Sequence, residues 1–205
     1  MHLIEQSLIR AGLAPIAGVD EAGRGACAGP LVIASVILKD LNAPQLAALR
    51  DSKELTEKER ERLFPIIYEE AISVSVIKVS PEDIDKRGVH AANLDGMRRA
   101  VQGLEIAPNY VLTDGYAIDG MPAPSLAIWK GDQIAPTISA ASIIAKVTRD
   151  RIMVELDSKY PGYGLAKHKG YITASHTSAL KQIGVSPIHR KSYSNIAALL
   201  NLPVD

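Results

Sequence analysis

The chain opens on a mixed helical pattern, "MHLIEQSLIRAG", that stops at Gly12. Two apolar runs follow. "IAGVD" reads as a short strand, and "PLVIASVIL", rich in branched residues, reads as a longer one. Thr56 and Glu59 then stand at capping-box spacing, which predicts a helix starting at Thr56 in "LTEKERERLFPIIYEEA". "SVSVIKV" alternates polar and apolar positions, the period of a third strand. Ser80 and Pro81 have the form of an N-cap and first helical residue, and "VHAANLDGMRRAVQGL" continues helical with Gly96 as its weak point. "YVLTD" is a fourth strand ending in Asp114. "SLAIWK" is a fifth, followed by "GDQ" with Asp132. The longest unbroken helical pattern is "SAASIIAKVTRDRIMVELDSKY". A loop, "PGYGLAKHKGY", separates it from a helical "TASHTSALKQIG", and a basic stretch, "HRKSY", precedes a last helix through Leu200. Strands first, then helices mixed with strands, predict an α/β fold: a mixed sheet with helices packed on it.

Composition narrows the class. With 205 residues, 47% hydrophobic and 22% charged, the chain has the make-up of one globular domain, with room for a small appendage. A chain of this size buries roughly 70% of its unfolded surface and needs no staples. Formal net charge is zero, so any site for a polyanion must come from local clustering. The single cysteine, Cys27, excludes a disulfide within the chain, disfavours a thiolate zinc site and reads as a small packed residue. No apolar run reaches the roughly 20 residues of a membrane helix, and the N-terminus lacks the apolar core of a secretory signal. A cytoplasmic protein without membrane contact is the expectation.

The chemistry lies at the strand ends. Asp20 and Glu21 close the first apolar run, Asp114 closes the fourth strand, and Asp132 stands just past the fifth. If these strands are neighbours, four carboxylates converge on one edge of the sheet. Such a group is tolerable only when protons or cations neutralise it. Oxygen-only donors suit hard ions, Mg²⁺ or Mn²⁺, and two such ions roughly 4 Å apart can activate water and stabilise a leaving oxygen in phosphodiester hydrolysis. An isolated Asp after a strand is equally a turn residue or a helix cap, and "GDQ" has that form too.

Arg24 is flanked by Gly23 and Gly25. The glycines let backbone amides approach a ligand, and Arg24 can pair with a phosphate; a tight hairpin turn has the same sequence.

These segments together resemble ribonuclease HII, the type 2 ribonuclease H of bacteria. The resemblance runs over about residues 16–193, through "GVDEAGRGACAGPLVIASVIL", "DSKELT", "YVLTDG", "KGDQIAPTISAASIIAKVTRD" and "YGLAKHKGY". It implies a ribonuclease H-like fold: a five-stranded mixed sheet flanked by helices, in one catalytic domain over 1–205, with a C-terminal helical subregion from about 160. It implies an endonuclease that cuts the RNA strand of RNA–DNA hybrids. It also implies cutting 5′ of a single ribonucleotide in duplex DNA, the step that opens ribonucleotide excision repair, leaving 3′-hydroxyl and 5′-phosphate ends. The family's metal-binding catalytic acids fall on Asp20, Glu21, Asp114 and Asp132. Its glycine-arginine-glycine motif, which senses the 2′-hydroxyl at the RNA–DNA junction, falls on Gly23, Arg24 and Gly25. A tyrosine that stacks on the next deoxyribose falls on Tyr163. Two positions depart from the family: Leu165 replaces an aromatic, and Gly88 replaces an asparagine.

Lys53, Lys146, Lys167, His168 and Lys169 are the basic residues expected at backbone phosphates, with Arg149 beside Lys146 on one helix face. His168 has a second reading, as a proton shuttle to the leaving oxygen. Ser139 and Ser142 are small residues that let a strand approach that helix. A monomer is expected, and "LLNLPVD" is a candidate sliding-clamp contact without a clear motif. Two rivals share the fold: a catalytically silent nucleic-acid binding module, and a metal-dependent DNA nuclease. Cutting of a duplex with one ribonucleotide in Mg²⁺ excludes the first, and failure to cut a duplex lacking any 2′-hydroxyl excludes the second. A small-molecule phosphatase would have no use for the junction-reading turn.

Overall fold

The fold was obtained as a computed structural model, which describes residues 3–49 and 55–201. The chain runs α1 (Leu3–Arg10), β1 (Ile16–Ala22), β2 (Leu31–Leu38), α2 (Glu57–Glu70), β3 (Ala71–Val79), α3 (Pro81–Arg87) and α4 (Val89–Gln102). It continues with β4 (Tyr110–Asp114), β5 (Ser125–Ile128), α5 (Gly131–Ile134), α6 (Pro136–Lys159), α7 (Leu165–His168), α8 (Ala174–Ile183) and α9 (Ser194–Ala197). The strands form one mixed sheet in the order β3-β2-β1-β4-β5. This is the α/β architecture the sequence predicts.

Local signals account for most boundaries. Thr56 caps α2, and Thr56 and Glu59 form the reciprocal capping box. Ser80 caps α3, Pro81 is its first residue, and Gly88 ends it with φ of 76°. Two elements went unseen in the sequence. The "GDQ" segment is a helical turn, α5, and the 163–171 loop contains α7.

The described residues fall into two compact units. The first comprises Met1–Ala22, Ile33–Ile77 and Leu94–Val147. In it β4 pairs in parallel with both β1 and β5, with Val19 opposite Thr113 and Asp114 opposite Ile128. Ile16, Leu112, Ile128, Ala135 and Ile138 pack together as part of its core. The start of α6 lies directly on β1, because a Cβ at Gly18 would sit 2.1 Å from the Thr137 carbonyl carbon. Glu5 reaches the same helix end from α1. Buried, it accepts hydrogen bonds from Thr137 N at 3.1 Å and Thr137 Oγ1 at 2.7 Å. These bonds cap α6 from outside its own sequence.

The second unit comprises Gly23–Val32, Lys78–Asn93 and the chain from Thr148 onward. Its core gathers Cys27, Met153, Tyr163, Leu165, Leu180 and Ile196. Leu165 is fully buried there. No helix among the described residues is long and apolar enough to cross a membrane.

Candidate active site

Parallel pairing of β1 with β4 sets two acids side by side. Asp20 follows Val19, and Asp114 follows its partner Thr113, so both leave adjacent strands at one level. Asp132 arrives from α5, whose first residue, Gly131, donates its N–H to Asp114 Oδ1 at 2.7 Å. Carboxylate oxygens of Asp20, Asp114 and Asp132 all lie within 4.8 Å of one another. The smallness of Gly18, two residues before Asp20, brings α6 onto this edge. From α6, Ser142 hydrogen-bonds Asp20. Ser139 Oγ donates to the Asp132 carbonyl at 2.5 Å and to that of Ala135 at 3.1 Å. The two serines therefore act as hydrogen-bond partners, and the room for close approach comes from the strand's glycine.

The electrostatics are those of a cation site. Burial, then the charges of Glu21 and Asp114, hold the Asp20 carboxyl well above the usual carboxylate range. Asp20 and Asp132 are 4% and 3% exposed, and Asp114 is half-buried. An all-oxygen set this close, with the Asp20 carboxyl held neutral-leaning by burial and its neighbours' charges, fits a hard divalent ion that would offset the repulsion. Glu21, half-buried next to Asp20, stands outside the group of three and near enough to raise the Asp20 pKa.

The glycine-arginine-glycine turn belongs to the second unit. It is closed by a 3.3 Å hydrogen bond from Ala26 N to the Gly23 carbonyl. Its glycines differ. Gly23 has φ of 90°, and a Cβ there would lie 1.8 Å from Arg149 Nε, whereas a Cβ at Gly25 would meet nothing within 4 Å. Arg149 is fully buried, and its guanidinium donates to the carbonyls of Pro30, Lys169 and Ala28 at 2.9, 2.9 and 3.0 Å. It is therefore not a phosphate contact; the helix-face argument that paired it with Lys146 fails because this side chain turns into the second unit's core. Burial lowers its pKa to about 10, which leaves it charged.

Two further expectations change on the same grounds. The Tyr163 ring is 7% exposed in the hydrophobic cluster, and its hydroxyl donates to the Gly184 carbonyl at 2.9 Å. A ring packed in that way has no open face for a sugar. Tyr171, in the same loop, is 38% exposed, with Arg149 Cζ 5.4 Å from its ring centroid. His168 accepts the Gly170 N–H at Nδ1 (3.2 Å), so Nε2 carries the proton and donates to the Tyr163 carbonyl at 2.8 Å. With both nitrogens engaged and its ring stacked on His176 at 4.3 Å, it is a loop fastener and not a proton shuttle. Lys167 is exposed, Lys146 and Lys169 are half-buried, and Lys53 lies outside the described residues. Cys27 is buried as expected, with Sγ 3.6 Å from the Gly170 carbonyl.

Residues 17–196 match the family model for ribonuclease HII. The chain belongs to the ribonuclease HII family. It is 55% identical to the ribonuclease HII of Rhodococcus opacus over 201 residues, covering 98% of this chain and 89% of that one. Among solved structures, it resembles the ribonuclease H2 of Pyrococcus horikoshii with a TM-score of 0.78 and 32% identity, covering 91% and 97% of the two chains. The ribonuclease HII of Archaeoglobus fulgidus, solved in complex with PCNA, matches with a TM-score of 0.76 and 28% identity over 87% and 95%. The protein is thus a ribonuclease H-type hydrolase of a divalent-metal-dependent family. Three of the four acids, Asp20, Asp114 and Asp132, converge at the sheet edge, with Asp132 on a helical turn.

Proposed function

We propose that this chain is a cytoplasmic endoribonuclease that acts as one catalytic domain, hydrolysing the RNA strand of RNA–DNA hybrids. It also cuts 5′ of single ribonucleotides in duplex DNA, leaving 3′-hydroxyl and 5′-phosphate ends, as ribonucleotide excision repair requires. The observation that carries this reading is the convergence of the Asp20, Asp114 and Asp132 carboxylates within 4.8 Å in a chain of this family.

Asp20, Glu21, Asp114 and Asp132 would hold two divalent ions, Mg²⁺ or Mn²⁺. When bound, such ions supply activation of water for in-line attack and stabilisation of the departing 3′-oxygen. Asp20 and Asp114, side by side on neighbouring strands, would serve both. Asp114 Oδ1 also accepts the Gly131 N–H, which fixes its carboxylate in place. Asp132 serves the leaving-group side.

Gly23, Arg24 and Gly25 read the 2′-hydroxyl, the group that separates RNA from DNA. The exposed ring of Tyr171 takes the sugar-stacking role first placed on Tyr163. Lys146, Lys167 and Lys169 take backbone phosphates, and Lys53 joins them from outside the described residues. The protein works as a monomer. The archaeal relative's complex with PCNA supports a sliding-clamp contact, which we place at the C-terminal segment, whose residues 202–205 lie outside the described part.

The test is Asp20→Asn, assayed on a duplex with one ribonucleotide. Cleavage should be abolished while binding of the hybrid stays largely intact. Near-normal cleavage would remove the acids from the mechanism. The metal-free variant should also resist urea better than the parent, because a buried carboxyl held beside two others has been neutralised.

A further inference from the structure

The basic stretch "HRKSY" has no part in the site described so far, yet two of its side chains close on the junction-reading turn. Arg190 Nη1 donates to the Arg24 carbonyl at 3.1 Å and to Tyr193 Oη at 2.8 Å. The Tyr193 hydroxyl in turn donates to the same Arg24 carbonyl. Arg190 is fully buried, its Nε donates to the Gly29 carbonyl at 3.1 Å, and its main-chain N–H donates to the Cys27 carbonyl at 2.8 Å. The residues between them are held as well. Asp85 accepts from Lys191 N and Ser192 N, both at 2.9 Å, and from Ser192 Oγ at 2.7 Å. All of these residues lie in the second unit.

We infer that Arg190 and Tyr193 are positioning residues that fix the orientation of the Arg24–Gly25 peptide in the turn that reads the 2′-hydroxyl. This deepens the proposed function and rests on it. Arg24 and Gly25 are the two central residues of the turn closed by Ala26 N and the Gly23 carbonyl. Types I and II of such a turn differ by a flip of the central peptide, and type II needs φ above zero at the second central residue. That residue is Gly25, for which positive φ carries no steric cost. Gly25 nevertheless has no positive φ, and the Arg24 carbonyl faces two donors. The Arg24 C=O and the Gly25 N–H belong to one planar trans peptide and point in opposite directions. Holding the carbonyl on Arg190 and Tyr193 therefore turns the Gly25 N–H away from the clamp, as a donor for a ligand oxygen. The glycine that leaves room for a sugar also makes a flip cheap, and the clamp opposes the flip.

The test is Tyr193→Phe, which keeps the ring and deletes one donor, in the full chain labelled with ¹⁵N. In the parent protein the Gly25 amide should give one sharp signal. In the variant it should broaden or split, and kcat/KM on a duplex with one ribonucleotide should fall about tenfold, the worth of one such hydrogen bond. Mn²⁺ binding measured by calorimetry should not change. Adding Gly25→Ala, which disfavours positive φ, should return the amide at position 25 to one sharp signal. A Gly25 signal unmoved by Tyr193→Phe, or one that Gly25→Ala fails to restore, overturns the clamp. Should Tyr193→Phe fail to fold, Arg190→Lys, which keeps the charge and loses the fork, is read in the same way. Failure of the parent to cut the ribonucleotide duplex would instead fault the proposed function, with the amide signals still deciding the clamp.

Discussion

Asp114 Oδ1 accepts the main-chain N–H of Gly131 at 2.7 Å. One carboxylate thus closes β4, caps α5 and holds the segment that delivers Asp132. Lys130, just before, has φ of 54°, a conformation a lysine adopts only when its surroundings hold it.

Asp114→Asn and Asp114→Ala should separate these roles. The asparagine keeps an acceptor for Gly131 and loses the charge, so divalent-ion affinity should fall at least tenfold in calorimetry while thermal stability holds. The alanine also frees the α5 N–H and should cost about 1 kcal/mol more in chemical denaturation.

The two glycines of the reading turn should respond oppositely to a methyl group. Gly23→Ala forces positive φ on an alanine and drives its Cβ into Arg149, so it should lose roughly 2 kcal/mol or more of stability. Gly25→Ala enters open space at ordinary φ and should stay within about 0.5 kcal/mol of the parent in urea unfolding.

Acid should weaken the second unit through His189. Burial pushes its pKa down to about 4, with the neighbouring His176 and His168 adding in the same direction and the Ser186 backbone opposing it. Its Nδ1 accepts the Ser186 N–H at 3.1 Å, so its Nε2–H faces His176 Nε2 at 3.1 Å, and His176 Nδ1 donates to the Tyr171 carbonyl at 3.0 Å. The unfolded chain binds a proton near pH 6.5 that the folded chain refuses until about pH 4. Stability is therefore complete above pH 6.5 and is lost as pH falls toward 4. About 2 kcal/mol should disappear between pH 7 and pH 5 in urea titrations. His189→Asn should flatten that dependence.

Much of this was legible in the chain. Ser80 and the Thr56–Glu59 pair announce their helices because capping is chemistry between residues three apart. The strands show as apolar or alternating runs. The acids stand out because charge at the end of an apolar run is costly without a use. The exceptions came where a residue's fate is set by a partner far along the chain. Glu5 caps a helix that begins at Pro136. Arg149 resembles a surface cation until the carbonyls of residues 28, 30 and 169 surround it. Tyr163 and Tyr171 share one loop, and only packing against Leu180 and Ile196 decides which ring is spent in the core.

By itself, then, the sequence determined the strands, the longer helices, the acids at the strand ends and the turn that follows the first of them, since periodicity, caps and strand-end charges act over a few residues. The tertiary structure alone decided that Asp20, Asp114 and Asp132 meet, which tyrosine stays exposed, and which basic residues are buried. Those outcomes depend on strand order and burial, and no short stretch of chain encodes either.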